Sequence, residues 1–299
     1  MTESIQKYFK QLLSEKSDLR ISSLQFHSVG GGSINDTYQV KINNNVKSFL
    51  KLNSDAKYPA LFEKEKNGLG FLSKQKIIST ASVIASGVVD DQQILLLEWI
   101  EGGLKTEQFW KQFGEQLAAL HMQTWSGNND KTLFGFEEDN YMGALQQVNT
   151  IKETWTDFFI HCRLEPQIKL ASEKKLIQSK HIIAFENLYS RLLPIFNNEN
   201  SSLLHGDLWS GNFMCNENSQ PVLIDPAVYF GHRSIDLAMT TLFGGFDKLF
   251  YESYNYHFPL PGNYDEQWEV SNLYPLLIHL NLFGRSYLGQ IENTLRKFN

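Results

Sequence analysis

The feature that most constrains this chain is the stretch H-G-D-L-W-S-G-N at residues 205–212, with Asp225 thirteen residues beyond its end. A short apolar run, Leu203–Leu204, leads into the stretch, and a second run, Val222–Ile224, leads into Asp225. Short apolar runs bounded by turn residues are typical of buried strands. The sequence therefore predicts two short strands whose ends bring the polar side chains of both segments into one cleft.

Three of these polar residues, Asp207, Asn212 and Asp225, suit one chemistry. A carboxylate can take a proton from an attacking hydroxyl, and an amide oxygen with a second carboxylate can hold the Mg²⁺ that bridges ATP phosphates. Asp followed five residues later by Asn matches the core of the kinase catalytic loop, and the later Asp matches the first residue of D-F-G. Two unrelated turns are the alternative, because Gly-Asp and Asp-Pro pairs are common in turns.

Composition places the chain among ordinary globular proteins. Of its 299 residues, 42% are apolar and 20% charged, and the formal net charge of -6 argues against a nucleic-acid partner. Two cysteines are too few for a disulfide framework or a zinc site. The first residues lack the basic and apolar regions of a signal peptide, and no apolar run reaches the ~20 residues of a membrane span. We expect a cytoplasmic protein without a membrane partner; the sequence does not predict its oligomeric state.

The first third of the chain has the pattern of a small, mostly antiparallel sheet with one helix, preceded by a short amphipathic helix. Glu101-Gly102-Gly103 is the first convincing break. We therefore expect a nucleotide-binding lobe over residues 1–101 and a helical catalytic and substrate lobe over 102–299. The segments predicted for the first lobe are helices at 3–16 and 59–74 and strands at 21–29, 37–42, 46–52, 83–88 and 93–98.

Beyond the glycines the pattern turns helical. Thr106 can cap a first helix, and further helices are predicted at 153–171, 180–193, 234–243, 247–257, 265–283 and 286–297, interrupted only by the short strands near residues 203 and 223. A small β-rich lobe, a glycine hinge and a large helical lobe with a catalytic loop is the arrangement of protein kinases. The predicted fold class is thus α+β, with two lobes of the protein-kinase-like type.

A glycine run joins the first two predicted strands. Glycine lets the backbone approach phosphate oxygens, so Gly31, Gly32 and the hydroxyl of Ser33 are candidate ATP contacts. A plain hairpin turn is at least as compatible with this run, because Asn35 stands where G-x-G-x-x-G has its third glycine.

Lys51 ends the third predicted strand, where a kinase places the lysine that holds the α- and β-phosphates. Glu65 on the following helix can pair with it and orient its ammonium group. Glu63 is the rival partner, but residues two apart on a helix point in different directions, and we favour Glu65. At the end of the last strand of this lobe, the Glu98 carbonyl and the Ile100 N–H are candidate contacts for the adenine edge.

With these residues in place, the chain resembles the fructosamine kinase (ketosamine 3-kinase) family, which is related to the aminoglycoside phosphotransferases. The resemblance covers nearly the whole chain. Its motifs are G-G-S-I-N at 31–35, F-L-K at 49–51, F-E-K-E at 62–65, L-A-A-L-H at 117–121, the 205–212 stretch, I-D-P-A at 224–227, Y-F-G-H at 229–232, D-L-A at 236–238 and G-G-F at 244–246.

The resemblance implies Asp207 as the catalytic base, Asn212 and Asp225 as Mg²⁺ ligands, and Lys51 with Glu65 as the phosphate-positioning pair. It implies transfer of the ATP γ-phosphoryl group to the C3 hydroxyl of a ketosamine, either a small molecule or a glycated lysine on a protein. Breakdown of the phosphorylated adduct makes this a deglycation step. Some relatives carry a cysteine where this chain has Ser33, which argues against thiol regulation through that loop.

Other residues of the motif region have expected supporting roles. Trp209 stands where protein Ser/Thr kinases carry a lysine two residues after the base, and its indole could form a substrate wall or pack in the core. Asp236 is expected to brace the catalytic-loop backbone, and His205 to pack and hydrogen-bond. Only ten residues separate Asp225 from Asp236, too few for a long activation loop.

Two alternatives remain. One is a kinase of another small molecule, such as an aminoglycoside, choline or a sugar, whose motif also begins with H-G-D. The other is a non-catalytic nucleotide-binding pseudokinase. A pseudokinase would be expected to have lost Lys51, Asp207, Asn212 or Asp225, and all four are present.

Overall fold

The computed structural model describes residues 3–16, 21–30, 34–43, 46–127, 131–196 and 199–298. Contacts between residues divide the chain into two compact units. The first unit comprises Met1–Lys105 and Met214–Asp225, and the second comprises Thr106–Phe213 and Pro226–Asn299. None of the helices in the described ranges is long and apolar enough to cross a membrane.

The first unit is built on a five-stranded antiparallel sheet with the order β1-β2-β3-β6-β5. A second, three-stranded sheet has the order β10-β11-β4, and its β4–β11 pair is parallel. The elements are α1 Glu3–Lys16, β1 Leu24–Ser28, β2 Asp36–Ile42, β3 Val46–Ser54, α2 Leu61–Lys74, β4 Ser79–Thr80, β5 Val83–Val89, β6 Gln92–Glu98, β10 Phe213–Cys215 and β11 Pro221–Leu223.

The core of the first unit lies between α1 and one face of the large sheet. Alternate residues of a strand point to opposite faces, so Leu50 and Leu52 of β3 are buried in this core together with Phe9 of α1. The same alternation turns Lys51 to the other face, where α2 lies: its Nζ is 5.9 Å from the ring centroid of Phe62.

The second unit is mainly helical, as predicted, with two small antiparallel strand pairs, β7–β8 and β9–β12. Its elements are α3 Glu107–His121, β7 Asn140–Met142, β8 Leu145–Gln147, α4 Trp155–Phe158, a π-helical turn Phe159–Leu164, α5 Glu165–Glu173, α6 Ser179–Tyr189, α7 Leu192–Phe196, β9 Ser202–Leu204, β12 Tyr229–Gly231, α8 Ser234–Leu242, α9 Lys248–His257, α10 Tyr264–Ser271, α11 Leu273–Phe283, a 3₁₀ turn Arg285–Tyr287 and α12 Leu288–Leu295.

Three long helices predicted from the sequence are interrupted in the structure. In each case a proline lies near the interruption, four residues after a residue whose carbonyl it cannot bond: Pro166 after Cys162, Pro194 after Ser190 and Pro275 after Ser271. Proline has no N–H to donate to that carbonyl, and its ring collides with it. At the first position the Arg163 guanidinium supplies the missing donor, since its Nη1 lies 3.0 Å from the Cys162 carbonyl oxygen.

The β7–β8 hairpin was not predicted, and the expectation that only the strands near 203 and 223 interrupt the helices was wrong. The hairpin turns at Gly143, which has a φ of 60°. A large apolar core formed by α4–α8 and α10–α12 surrounds the strand pair β9–β12, and this pair positions the residues of the 205–212 stretch.

Candidate active site

Lys51 is held between two carboxylates within the first unit. Its Nζ donates to Oε1 and Oε2 of Glu65, both at 2.8 Å, and to Oδ1 of Asp225, also at 2.8 Å. The lysine side chain is only 3% exposed, whereas that of Asp225 is 40% exposed. The expected pairing with Glu65 is therefore present, and Glu63 is exposed instead.

The helix that carries Glu65 is fixed to the sheet by a buried glutamine. Gln93 of β6 accepts a hydrogen bond from the Phe62 N–H at 3.0 Å and donates to the Tyr58 carbonyl at 2.6 Å. The residue before α2, Ala60, has a left-handed backbone and makes no side-chain cap. Gln93 therefore supplies a hydrogen-bond acceptor for the N-terminal end of α2, which lacks a local cap. This contact fixes the position of Glu65 relative to Lys51.

The electrostatics of this cluster follow from one positive and two negative groups in a buried place. Burial opposes the charge on Lys51, but Asp225 and Glu65 outweigh it, so the pKa of Lys51 is raised and the ammonium stays charged. Burial also raises the pKa of Glu65; Lys51 opposes this shift and Asp225 adds to it. The cluster thus keeps a fixed cation, and a further cation beside Asp225 would favour the ionised form of Glu65.

Asp225 reaches Lys51 through an unusual backbone. It comes two residues after β11, which is held parallel to β4, and its φ is 54°. Left-handed conformations are uncommon outside glycine, although aspartate tolerates them better than most residues. Backbone strain of this kind occurs at functional sites as well as in turns.

The 205–212 stretch lies in the second unit and begins where β9 ends. Asp236 of α8 holds its backbone: Oδ2 accepts from the His205 N–H at 2.7 Å and Oδ1 from the Gly206 N–H at 2.9 Å. The bracing contact expected of Asp236 is therefore present. Gly206 has a φ of 85°, and a Cβ at this position would lie 2.0 Å from the Ala227 carbonyl oxygen. This tight turn requires glycine.

Asp236 is in turn oriented by two buried side chains. His121 Nε2 lies 3.2 Å from Asp236 Oδ2, and His121 Nδ1 lies 2.9 Å from the Tyr254 hydroxyl. Because the carboxylate only accepts, Nε2 carries the proton and Tyr254 donates to Nδ1. Burial lowers the pKa of His121, which favours the neutral ring. His121, the last residue of α3, thus also supports the 205–212 stretch.

Asp207 and Asn212 contact each other at the end of this loop. The Asn212 side-chain amide donates to the Asp207 carbonyl at 2.8 Å and to Asp207 Oδ2 at 2.9 Å. The amide nitrogen is thereby occupied, which leaves the Asn212 carbonyl oxygen as the side-chain atom suited to a cation. His205 Nδ1 lies 3.3 Å from the Asp207 backbone nitrogen, in line with the supporting role expected of it.

Trp209 packs against the loop. A Cβ on Gly211 would fall 2.3 Å from the indole ring, and Phe243 meets the indole in a T-shaped arrangement with ring centroids 5.9 Å apart. The indole is half-buried, so it packs in part and also faces solvent.

The remaining predicted nucleotide contacts lie in the first unit. Glu98 ends β6; its carboxylate accepts from the Ser82 N–H at 2.9 Å and its own N–H donates to the Ser82 carbonyl at 2.9 Å. Ile100 follows in irregular backbone. Gly31, Gly32 and Ser33 lie outside the described residues.

The sequence analysis did not predict a network of buried side-chain amides that contacts the chain just before β12. Asn140 donates to the Val228 carbonyl at 2.8 Å, and Gln147 donates to the Ala227 carbonyl at 3.1 Å and accepts from the Tyr274 hydroxyl at 2.9 Å. The β7–β8 hairpin thus fixes the chain that follows Asp225. The signal that could have revealed it is a pair of amides, Asn140 and Gln147, placed three residues before and four residues after Gly143.

Each unit contains oxygen donors of the kind that suits a magnesium ion bound chiefly by phosphate. No group of three or more His, Cys, Asp or Glu side chains in the described ranges could hold a metal by itself. Mg²⁺ in nucleotide sites uses one or two carboxylates with substrate phosphates and water rather than an all-protein cage. The half-exposed Asp225 carboxylate and the Asn212 carbonyl oxygen are hard donors of the right kind.

Comparison with known proteins gives a consistent result. The family model described as "Fructosamine kinase" matches residues 5–299. A probable ketoamine kinase of Enterococcus faecium is 38% identical over 94% of this chain and 98% of its own. A protein-ribulosamine 3-kinase of Arabidopsis thaliana, named as chloroplastic, is 34% identical over 87% of this chain and 78% of its own.

Solved structures show the same fold. A protein of Haemophilus somnus provisionally named a fructosamine-3-kinase has a TM-score of 0.88 at 25% identity, with 99% of each chain covered. An aminoglycoside 2'-phosphotransferase solved with GDP has a TM-score of 0.59 at 12% identity, over 99% of this chain and 97% of its own. The fold prediction, α+β and protein-kinase-like, is confirmed.

Proposed function

Because this chain belongs to the fructosamine kinase family, and is therefore a phosphotransferase, we propose that it uses ATP and Mg²⁺ to phosphorylate the C3 hydroxyl of ketosamines. The substrates would be fructosamine or ribulosamine adducts of lysine, free or on proteins. The family match over residues 5–299 carries this proposal, and the Lys51–Glu65–Asp225 cluster and the Asp207–Asn212 pair supply side chains suited to the chemistry.

In this proposal Asp207 accepts the proton of the attacking C3 hydroxyl. The Asn212 amide holds one oxygen of its carboxylate and also its backbone carbonyl, so the carboxylate is oriented before substrate arrives. Asp236 fixes the backbone two residues earlier. A general base positioned in this way contributes about 10²–10⁴-fold to the rate.

Lys51 is assigned to the α- and β-phosphates. Glu65 grips its ammonium group with both carboxylate oxygens at 2.8 Å, which aims a charge that burial would otherwise penalise. Asn212 and Asp225 would hold Mg²⁺, which when bound neutralises charge on the phosphates. Gly31, Gly32 and Ser33 are proposed to contact phosphate, and the backbone of Glu98 and Ile100 the adenine.

The substrate side is assigned to Trp209, whose half-buried indole lies against the catalytic loop. Decomposition of the phosphorylated adduct would return the free amine, which makes the reaction a deglycation step. Both cysteines are free, buried thiols, which suits the reducing cytoplasm in which we expect the enzyme to act. The lobes proposed from the sequence, residues 1–101 and 102–299, follow only the first crossing of the chain, because Met214–Asp225 makes its contacts within the first unit.

The test is a substrate panel with ATP and Mg²⁺. Fructose and ribose adducts of lysine are compared side by side with an aminoglycoside, choline and free fructose, and ADP release is measured. We expect ADP release with the ketosamines alone. Turnover of the aminoglycoside without turnover of either ketosamine would contradict the proposed substrate, and release of no ADP from any acceptor would contradict kinase activity.

A further inference from the structure

A row of five aromatic rings extends away from the catalytic loop in the second unit. Centroid distances are 5.9 Å from Trp209 to Phe243, 4.8 Å from Phe243 to His279, 5.5 Å from His279 to Phe283 and 5.1 Å from His279 to Tyr287. We call these five residues the aromatic strip. Each ring contacts the next, so the strip is one continuous surface.

The outer part of the strip is exposed to an unusual degree. Phe243 is 38% exposed and Phe283 is 51% exposed. Single exposed apolar residues are ordinary, but these two exposed rings both contact His279, and neighbouring exposed aromatic rings are candidates for a binding surface. Other residues already pack the core of this unit, so core packing does not account for these two rings.

The strip begins within the catalytic loop, at Trp209. The segment after Phe243 turns through Gly244 and Gly245, both with positive φ, and a Cβ on Gly245 would lie 2.7 Å from Ser210 Cβ. This close approach requires glycine. Phe243 is thereby fixed beside Trp209, which follows the proposed base Asp207 by two residues. A ligand on the strip would therefore extend from a group bound at Asp207.

His279 adds a polar group to the strip. Its Nδ1 lies 2.7 Å from the Pro275 carbonyl oxygen, which can only accept, so Nδ1 carries a proton. Burial lowers the pKa of His279, and its hydrogen bond to Pro275 opposes this only in part. The ring is therefore neutral near pH 7 and presents the Nε2 lone pair. A neutral acceptor among aromatic faces is suited to a cation bearing N–H groups.

We propose that the aromatic strip recognises the protonated amine and the adjoining alkyl chain of the ketosamine, and so selects amine adducts over neutral sugars. This inference rests on the proposed function, because it assigns the part of that substrate that is not phosphorylated. The alkylamine nitrogen of such an adduct is basic and carries a positive charge at neutral pH. The faces of Phe243 and Phe283 attract this charge, and His279 Nε2 accepts its hydrogen.

The experiment compares two acceptors that differ in one atom. One is the fructose adduct of butylamine, which is cationic, and the other is 1-O-butyl-fructose, which has a neutral ether oxygen in place of the nitrogen. Both keep the C3 hydroxyl. The quantity measured is the ratio of kcat/KM for the amine to kcat/KM for the ether, in the wild type and in Phe243→Leu and Phe283→Leu.

Leucine preserves apolar area but removes the aromatic face. We expect the amine-to-ether ratio to fall about 3- to 10-fold in either variant, the range of one partly exposed cation–π contact. Phe283→Tyr, which keeps a ring, should retain the wild-type ratio. Tyr256→Leu is the matched control, because Tyr256 is 82% exposed and packs edge-on against His257 outside the strip; its ratio should not change.

An unchanged ratio in both leucine variants would overturn the inference, as would an equal loss for both acceptors, which would mean apolar contact alone. Urea unfolding of each variant separates a folding defect from a loss of recognition. These outcomes differ from failure of the proposed function, in which the wild type itself would phosphorylate neither acceptor.

Discussion

At the residue scale, the position of Lys51 could be deduced from the sequence and its second partner could not. Strand alternation places Lys51 opposite the buried Leu50 and Leu52, and helical spacing places Glu65 on the same side as the buried Phe62 and Leu69. The contact with Asp225 joins residues 174 positions apart. No local pattern encodes such a contact, because it depends on how separate strands pair.

Replacing Glu65 by glutamine should impair phosphate positioning without removing the lysine. One charge-assisted interaction contributes about 1.5–3 kcal/mol. We therefore expect kcat/KM for ATP to fall by about 10- to 100-fold in Glu65→Gln, measured by steady-state kinetics at saturating ketosamine.

Glu63→Gln is the matched control, since Glu63 lies on the same helix and is exposed. It should retain wild-type kinetics. Equal losses in the two variants would show that charge on the helix, rather than the grip on Lys51, matters.

Removing the proposed base is the sharpest single-residue change. Asp207→Ala should lower kcat by about 10²–10⁴-fold because proton transfer from the hydroxyl loses its acceptor. ATP binding, measured by calorimetry, should change little by comparison. Wild-type turnover by a purified, folded Asp207→Ala protein would refute the assignment.

At the scale of elements, prolines and very short strands explain where the predicted secondary structure was wrong. Helix periodicity continues through Cys162, Ser190 and Ser271, so a periodic pattern predicts unbroken helices there. The prolines four residues later interrupt each one. The β7–β8 hairpin has strands of three residues each, too short to produce an alternating pattern. Both kinds of error concern segments that hold the candidate site in place. The loop at 205–212 itself was predicted from its motif.

The turn at Gly206 gives a prediction for the 205–212 stretch. Gly206→Ala combines a left-handed backbone with a Cβ 2.0 Å from a carbonyl oxygen, and such strain costs about 1–3 kcal/mol or more. Its free energy of unfolding in urea should fall by at least about 2 kcal/mol.

Gly70→Ala provides the opposite control. Gly70 lies within α2, and a Cβ there meets nothing within 4 Å. Alanine should stabilise the helix by about 0.5–1 kcal/mol. If Gly206→Ala were as stable as the wild type, the turn would not have the strain described.

At the scale of the whole molecule, a single cut in the sequence cannot describe the two units. The segment Met214–Asp225 makes most of its contacts with Met1–Lys105 and belongs to the same unit. The reason is that β11 pairs with β4 and that the Leu223 carbonyl accepts a hydrogen bond from the Ala81 N–H at 3.1 Å. The composition change at Glu101-Gly102-Gly103 marks only the first crossing of the chain. Long-range strand pairing determines the others, and one sequence alone does not reveal it.

Global stability should depend on pH through a buried histidine. Burial lowers the pKa of His232 to about 4, with Glu199 opposing and Arg233 adding to the shift. The unfolded chain, with a histidine pKa near ~6.5, then binds protons that the folded protein excludes. Stability is therefore full above about pH 6.5 and is lost as pH falls toward 4.

From these values the free energy of unfolding should drop by about 2 kcal/mol between pH 7.5 and pH 5 through His232 alone. Burial lowers the pKa of His121 as well, which acts in the same direction. Urea titrations at the two pH values measure the drop, and His232→Gln, which does not titrate, should reduce it by that amount. Identical pH dependence in both proteins would contradict this origin.

The central claim is that Asp207 directs the γ-phosphoryl group of ATP to the C3 hydroxyl of a ketosamine. It is tested most directly by ³¹P and ¹³C NMR of the product formed from fructosyl-lysine and Mg·ATP, with the wild type and with Asp207→Asn. We predict one phosphate ester at C3 with the wild type, and at least about 100-fold slower formation with the variant. A phosphate at another position, no phosphorylated ketosamine, or equal rates in the two proteins would contradict the account.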